Sequence, residues 1–195
     1  MILTRLRAET DPYHDRLQRR LPLLDPQLSR SAYRDALGRL FGFYVPFEAA
    51  IESTCVPAMR EDMVRRRKSH WLIQDLFGLG ATPQAVAALP LCRNLPSLDG
   101  YAGLLGALYA VEGETLLGPV LSRYIRHALG EDAVRCCRFL SSYGRQIHLM
   151  WETLLENLAV ASRIAGHDEM IIDGARRTLA SLDRWLAGSG TGNEE

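Results

Sequence analysis

Apolar side chains recur at intervals of three and four residues along almost the whole chain, and this spacing constrains the fold more than any other feature. Residues at that spacing share one face of an α-helix, whereas a strand alternates apolar and polar residues at every second position. The sequence shows no strand alternation, no internal repeat and no interdomain linker. It therefore predicts an all-α fold of six or seven packed helices.

The first predicted helix carries a histidine, His14, on its apolar face. Pro12 lies inside this helix and removes one backbone hydrogen bond. The sequence thus predicts either a kink at Pro12 or a helix that restarts behind a cap from Thr10 or Asp11. A histidine in this position is either a ligand or an ordinary core or surface residue, and physics alone favours the second.

Two further helices are expected before residue 80. One begins near Ser29 or Ser31 and bends at Pro46, with an aromatic stripe that indicates core packing. The other lies within the run RRRKSHWLIQDLFGLG, which starts as a basic, solvated stretch and stops at one of its two glycines. Both are typical of amphipathic helices in a soluble bundle.

The second half of the chain predicts three more helical blocks. Three prolines make residues 81–98 a connecting loop with one short turn, and Asp99 offers a cap for a helix over 101–127. Helical patterns continue over 132–164 and 168–186. The 101–127 helix contains Gly103, Gly106, Gly113, Gly118 and Pro119. So many glycines predict a bend, or a close approach by another group to the helix backbone.

Length and composition favour one domain. With 195 residues, 47% of them hydrophobic, the chain can bury a core over residues 1–187 without disulfides, and the polar tail 188–195 is predicted to be disordered. The net charge of zero argues against nucleic-acid or anionic-membrane partners. The four cysteines lack CxxC spacing, so we expect free thiols.

The N-terminus lacks an apolar signal core, and the longest apolar run, 102–111, is too short to span a bilayer. We therefore expect a cytoplasmic protein with no membrane insertion. Phosphate-loop, serine-hydrolase and zinc-protease motifs are absent. His148 and Glu152 share a helix face, but a lone pair of this kind indicates surface neighbours rather than a metal site.

Four segments resemble the bacterial, biliverdin-forming haem oxygenases, in particular the branch associated with bacterial phytochromes. LRAETDPYH resembles the LRxxTxxxH signature of the family's proximal helix, and DLFGLG follows at 75–80. The segments LPLCRNLPSLDGYAGLLGALYAVEGETLLG, at 89–118, and FLSSYGRQIHLMWETLLENL, at 139–158, match in the same order. The resemblance implies haem held between a proximal and a distal helix.

The resemblance also implies an activity. Haem would be cofactor and substrate, opened oxidatively to biliverdin with release of iron and carbon monoxide. The reaction would use O2 and electrons from an external reductase or ferredoxin, and a bacterial phytochrome would be a possible biliverdin acceptor. Within this reading His14 is the iron ligand, which leaves the other iron face open to oxygen.

Other residues take family positions by their place in these motifs. Tyr109, Gly113 and Gly118 match the tyrosine and two glycines of the distal segment. Arg7 matches a basic residue that pairs with a haem propionate, although a solvated arginine is an equal alternative. Tyr143 and Arg145 are further candidates for propionate contacts.

Three departures from the family pattern affect the predicted site. Leu117 replaces the penultimate glycine of the EGSxLGG pattern, which could crowd oxygen. Glu114 replaces a small residue, and Pro119 alters the same helix. Gln18 stands where relatives carry a glutamate that accepts the ligand's second ring proton. These changes keep open a haem-binding protein with reduced or lost oxygenase activity, and a helical protein that binds a partner or another small molecule.

Overall fold

The structure, a computed structural model, describes residues 1–21 and 23–188. All regular secondary structure in this part of the chain is helical, which confirms the all-α fold. The α-helices are α1 (Ile2–Arg20), α2 (Arg30–Thr54), α3 (Arg60–Arg66), α4 (Ser69–Gly78), α5 (Pro83–Ala87), α6 (Gly100–Gly113), α7 (Gly118–Leu129), α8 (Glu131–Val134), α9 (Ile147–Ala161) and α10 (His167–Gly188). The 3-10 helices are η1 (Pro57–Met59), η2 (Glu114–Leu117) and η3 (Gly144–Gln146). The predicted disordered tail lies outside the described residues, except for Gly188.

The core is built on α6, which is buried along most of its length and packs most extensively against α10. Glycines allow this close approach: a Cβ atom on Gly106 would lie 1.9 Å from the carbonyl oxygen of Ile171. A Cβ atom on Gly174 would lie 2.2 Å from the carbonyl oxygen of Gly103. The glycines at 106 and 174 therefore serve helix packing, because no side chain fits between the two backbones.

Helix α1 lies against α10 and runs without interruption through Pro12, so the predicted restart behind a cap is wrong. Thr10 is buried, and its hydroxyl donates to the Leu6 carbonyl at 2.8 Å instead of capping a new helix. Pro12 leaves the Ala8 carbonyl without its helical donor. Both residues are exposed, so water can take the place of the lost hydrogen bond.

Helix α2 begins as predicted, with Ser29 as N-cap accepting from the Ala32 amide at 3.1 Å. The 81–98 segment is mainly loop with one short helix, α5, as predicted. Asp99 occupies the N-cap position of α6, but its side chain makes no capping hydrogen bond. The four cysteines are free and buried.

The predicted helix over 132–164 is wrong in its first half, because the chain leaves the helix between α8 and η3. The buried carboxylate of Asp75 accepts from the backbone amides of Arg138 at 3.0 Å and Phe139 at 2.9 Å. Those two amides donate to a side chain of α4 and therefore do not form the backbone hydrogen bonds of a helical turn. Tyr143 then takes a left-handed conformation with φ of 64°.

The basic run at 65–68 was expected to be solvated, and this expectation is wrong at two positions. Arg66 and Lys68 are buried, with relative exposures of 5% and 1%. Arg66 pairs with Asp62 at 2.8 Å within α3, and Lys68 lies between α3 and α4. Buried cations require nearby acidic partners: Asp62 is four residues from Arg66, whereas Glu112, the partner of Lys68, lies far away in the sequence.

The consecutive helices α6, η2 and α7 form a stretch, Gly100–Leu129, long and apolar enough to cross a membrane. More than half of its most apolar window is buried inside the protein. A buried core helix passes the same test of length and composition, so this is weak evidence for a membrane span.

The glycine packing predicts a difference between two alanine substitutions in α6. Gly106→Ala should lower the free energy of unfolding by about 1–3 kcal/mol or more, because its Cβ would meet the α10 backbone. Gly103→Ala is the control, because its Cβ would make only ordinary contacts at 3.8–4.0 Å. Urea unfolding of both variants checks this, and equal stability would contradict it.

Candidate functional site

Helix α1 and the 3-10 helix η2 meet at one pair of side chains. His14 Nδ1 and Glu114 Oε1 are joined by a short hydrogen bond, and each side chain is about one-third exposed. The Glu114 carboxylate raises the pKa of His14, chiefly through this bond. In the part of the chain that the structure describes, His14 Nε2 makes no hydrogen bond and is not fully buried.

A cavity of about 680 Å³ opens beside this pair, between the C-terminal half of α1, the segment after it, η2 and α7. Most of its lining side chains are apolar: Leu17, Leu21, Leu23, Leu24, Leu40, Tyr44, Leu117, Val120, Leu121, Phe139, Leu140 and Leu182. The volume is within the range of small-molecule and cofactor sites, about 300–1,000 Å³. The cavity therefore suits a large ligand with an apolar body.

A minority of the lining residues are polar. They comprise three acidic residues, one amide and one cation: Asp15, Asp25, Glu114, Gln18 and Arg19. Gln18 lies one turn after His14 but makes no hydrogen bond to it, so the partner of His14 Nδ1 is Glu114. An arginine at such a cavity can pair with a carboxylate of a bound ligand.

The two glycines of the distal segment have different surroundings. A Cβ atom on Gly118 would lie 1.8 Å from the Leu140 carbonyl oxygen, so this glycine is required for packing. A Cβ atom on Gly113 would meet Trp151 at 3.9 Å, an ordinary contact. Leu117 is 42% exposed and lines the cavity, where the family pattern has a glycine.

Pro119 lies in the first turn of α7. Proline is tolerated there because its missing amide would have no helical partner. It does not interrupt the helix.

A buried polar cluster lies where α6 gives way to η2. Glu112 accepts from Lys68 Nζ at 3.1 Å and from the Tyr143 hydroxyl at 2.7 Å. Lys68 also donates to the Thr115 hydroxyl at 2.6 Å, and Arg66 Nη1 lies 3.8 Å from Glu112. Burial lowers the pKa of Lys68 and raises the pKa of Tyr143. The cluster ties η2 to α4 and to the segment before α9.

Two predicted residues lie near the N-terminal half of α1. Arg7 is exposed, two turns and about 10 Å along the axis before His14. Tyr109 packs against Trp151 with ring centroids 5.3 Å apart, and burial raises its pKa while Arg7 and Thr10 lower it. Arg145 is exposed in η3, and no hydrogen bond or ion pair joins it to the described residues of the cavity.

The structure thus brings Gln18, Glu114 and Leu117 together at one cavity, and His14 is linked to it through its hydrogen bond to Glu114. Tyr143 was a candidate for propionate contacts, but here its hydroxyl bonds Glu112. Sequence reasoning missed Arg19 and Tyr44 as lining residues. Arg19 is one of several arginines in α1, and no pattern distinguishes it. The burial of Lys68 had one signal, because it is the only lysine in the chain.

The site residues fit a haem group. Within the described residues, no cluster of three or more His, Cys, Asp or Glu side chains could hold a metal ion. An iron on His14 would need its remaining ligands from a non-protein source, which a porphyrin provides. His14 Nε2 makes no hydrogen bond to the described residues, and the apolar cavity lined by its partner Glu114 is large enough for such a ligand.

Comparison with known protein families also supports a fit between this site and haem. A family model described as Heme oxygenase matches residues 1–187. The chain belongs to the haem oxygenase family. Haem oxygenases bind haem as both substrate and cofactor, and membership of this family indicates an oxidoreductase. A search of curated proteins found no similar relative.

The buried cluster predicts a large effect of one lysine substitution. Lys68→Met should lower the free energy of unfolding by about 3–5 kcal/mol, because the buried Glu112 loses its nearest cation and keeps only Arg66, at 3.8 Å. Arg67→Met is the matched control, since the neighbouring Arg67 pairs with Glu52 at the exposed surface. Urea unfolding measures the free energy of unfolding of both variants. Equal destabilisation by the two substitutions would contradict this prediction.

The His14–Glu114 pair predicts a pH-dependent stability. Because folding raises the pKa of His14, the pair stabilises fully below the ordinary histidine pKa of 6.5. This contribution is lost as the pH rises through the raised value. Glu114→Gln should lower the pKa of His14, measured by NMR in the haem-free protein, and should cost more stability at acidic than at alkaline pH. Glu9→Gln, at an exposed position of α1, is the control.

Proposed function

We propose that this chain binds haem in the cavity beside His14 and opens the ring to biliverdin, with release of iron and carbon monoxide. The observation that carries the proposal is that His14 bonds Glu114, a lining residue of an apolar cavity bordered by α1, η2 and α7, while its Nε2 makes no hydrogen bond to the described residues. The family match supports haem as the ligand. Bound haem would supply the site of oxygen activation, with O2 and electrons from an external reductase or ferredoxin.

The chain's own residues would bind and orient the substrate. His14 would ligate the iron through Nε2, and the leucines of the cavity would exclude water from the ring. Arg19 would pair with a propionate at the cavity, and Arg7 and Arg145 remain predicted contacts, whereas the Tyr143 hydroxyl is engaged by Glu112. The buried Glu112–Lys68 pair would fix the backbone of the distal segment above the cavity.

Two wider expectations accompany this proposal. The resemblance to enzymes associated with bacterial phytochromes supports such a protein as the biliverdin acceptor. The sequence features given above support a cytoplasmic location.

The test of haem ligation is a His14→Ala variant. Purified wild-type protein should shift the Soret band of added ferric haem, and with a reductase and O2 that band should decay as biliverdin absorption rises. His14→Ala should lose the ligated spectrum and the turnover, because the iron loses its protein ligand. His148→Ala, at an exposed position of α9, should behave as the wild type. Unchanged spectra and turnover in His14→Ala would exclude the assignment.

A second candidate function is haem binding without ring opening. The exposure of Leu117 at the cavity favours it, because its side chain occupies the place where the family pattern has glycine. In that case the wild-type Soret band would stay stable under reducing, aerobic conditions.

Leu117→Gly distinguishes these two functions. If Leu117 blocks oxygen, the variant should gain biliverdin formation over a stable wild type, since the distal face is opened. If the wild type already turns haem over, the same variant should change the rate or the biliverdin isomer. Product analysis by absorption and chromatography measures both, and Val120→Ala, at another apolar cavity residue, is the control for reduced volume alone.

A further inference from the structure

The hydrogen bond between His14 and Glu114 joins the two elements that would lie on opposite sides of the haem. His14 is on α1 and Glu114 is the first residue of η2. In the described residues Glu114 makes no other hydrogen bond or ion pair, and the bond uses Nδ1 of the imidazole. At this point the two elements are in direct side-chain contact.

A flat ring between two elements cannot coexist with that contact. Carbon atoms in van der Waals contact are about 3.5 Å apart, so groups on the two faces of a ring lie about 7 Å apart. A hydrogen bond holds its two heavy atoms within about 3 Å. A residue above the ring therefore cannot remain bonded to the ligand residue below it.

The room for the ring lies immediately beside the bonded pair. Glu114 lines the cavity together with Leu117 and Val120 on one side, and Asp15 and Gln18 of α1 line it as well. Once its hydrogen bond to His14 is broken, the Glu114 side chain can rotate toward the solvent-exposed opening of the cavity. The rearrangement needs a side-chain rotation at a residue that is already about one-third exposed.

We propose that Glu114 closes the haem site of the free protein by bonding His14, and that haem binds only when this bond opens. The inference rests on the proposed haem-binding function. Glu114 is then a determinant of haem affinity and of the rate of haem entry. Its effect follows from the strength of a charge-assisted hydrogen bond, which corresponds to about a ten- to hundredfold change in an equilibrium constant.

The test uses the full-length, haem-free protein and ferric haem as the probe. Stopped-flow absorbance at the Soret band gives the association rate, and titration gives the dissociation constant. Glu114→Ser removes the carboxylate and restores a small residue, and Glu114→Gln keeps its size without its charge. Both should bind haem faster and about tenfold or more tightly than the wild type, with the larger effect in Glu114→Ser.

The control is Glu9→Gln, which removes a carboxylate of α1 that pairs with Arg176 at the surface. This variant should bind haem as the wild type does. If Glu114→Ser does not fold, Glu114→Gln still gives the comparison, because it is nearly isosteric with the native side chain.

The possible results separate this inference from the proposed function. Haem binding by the wild type with unchanged or slower binding in both Glu114 variants overturns the inference alone. A weaker iron–histidine bond in those variants, measured by resonance Raman spectroscopy of the ferrous complex, would also overturn it, because it would show that Glu114 supports the bound ligand. If neither the wild type nor Glu114→Ser binds haem, the proposed function fails and the inference fails with it.

Discussion

The buried carboxylate of Glu112 is the constraint on which the rest of the site depends. It lies at the end of α6, where Lys68 and Tyr143 bond it from two other parts of the chain. A carboxylate in this environment is tolerated only because its partners are all present. The residues that follow it, Glu114 to Leu117, are therefore tied to the start of α4 and to the segment before α9.

A second set of contacts brings α1 to that segment. Glycines let α6 approach the backbone of α10, and α10 in turn supports α1, where Arg16 and Arg20 pair with Asp183 at 3.1 and 3.3 Å. The stack of three helices fixes the distance between His14 and η2. The cavity is lined by α1 from Asp15 onward, just beyond His14, and by Leu182 of α10.

Most of the fold could be predicted from the sequence because its signals are local. The apolar spacing gave the long helices, and Ser29 marked the start of α2. The break before α9 could not be predicted, because Asp75 imposes it from more than sixty residues away. The burial of Lys68 was not predicted for the same reason, because its partner Glu112 is distant in the chain.

In the candidate site, too, local motifs indicate some features, and others depend on contacts between distant residues. Short, recognisable patterns drew attention to His14 and to the distal segment, whose Glu114 and Leu117 line the cavity. The bond between His14 and Glu114 depends on the relative position of α1 and η2, which no local pattern specifies. The same is true of Arg19, whose neighbours in α1 are also arginines.

The two adjacent positions 117 and 118 differ in what mutation can do to them. At 118 any side chain would collide with the Leu140 carbonyl, so folding itself selects glycine there. At 117 the side chain meets the cavity and solvent, and the fold places no such demand on it. The bundle therefore fixes the residue at 118 and leaves the one at 117 free to vary. A change at 117 would reshape the cavity wall while the packing that supports it stays intact.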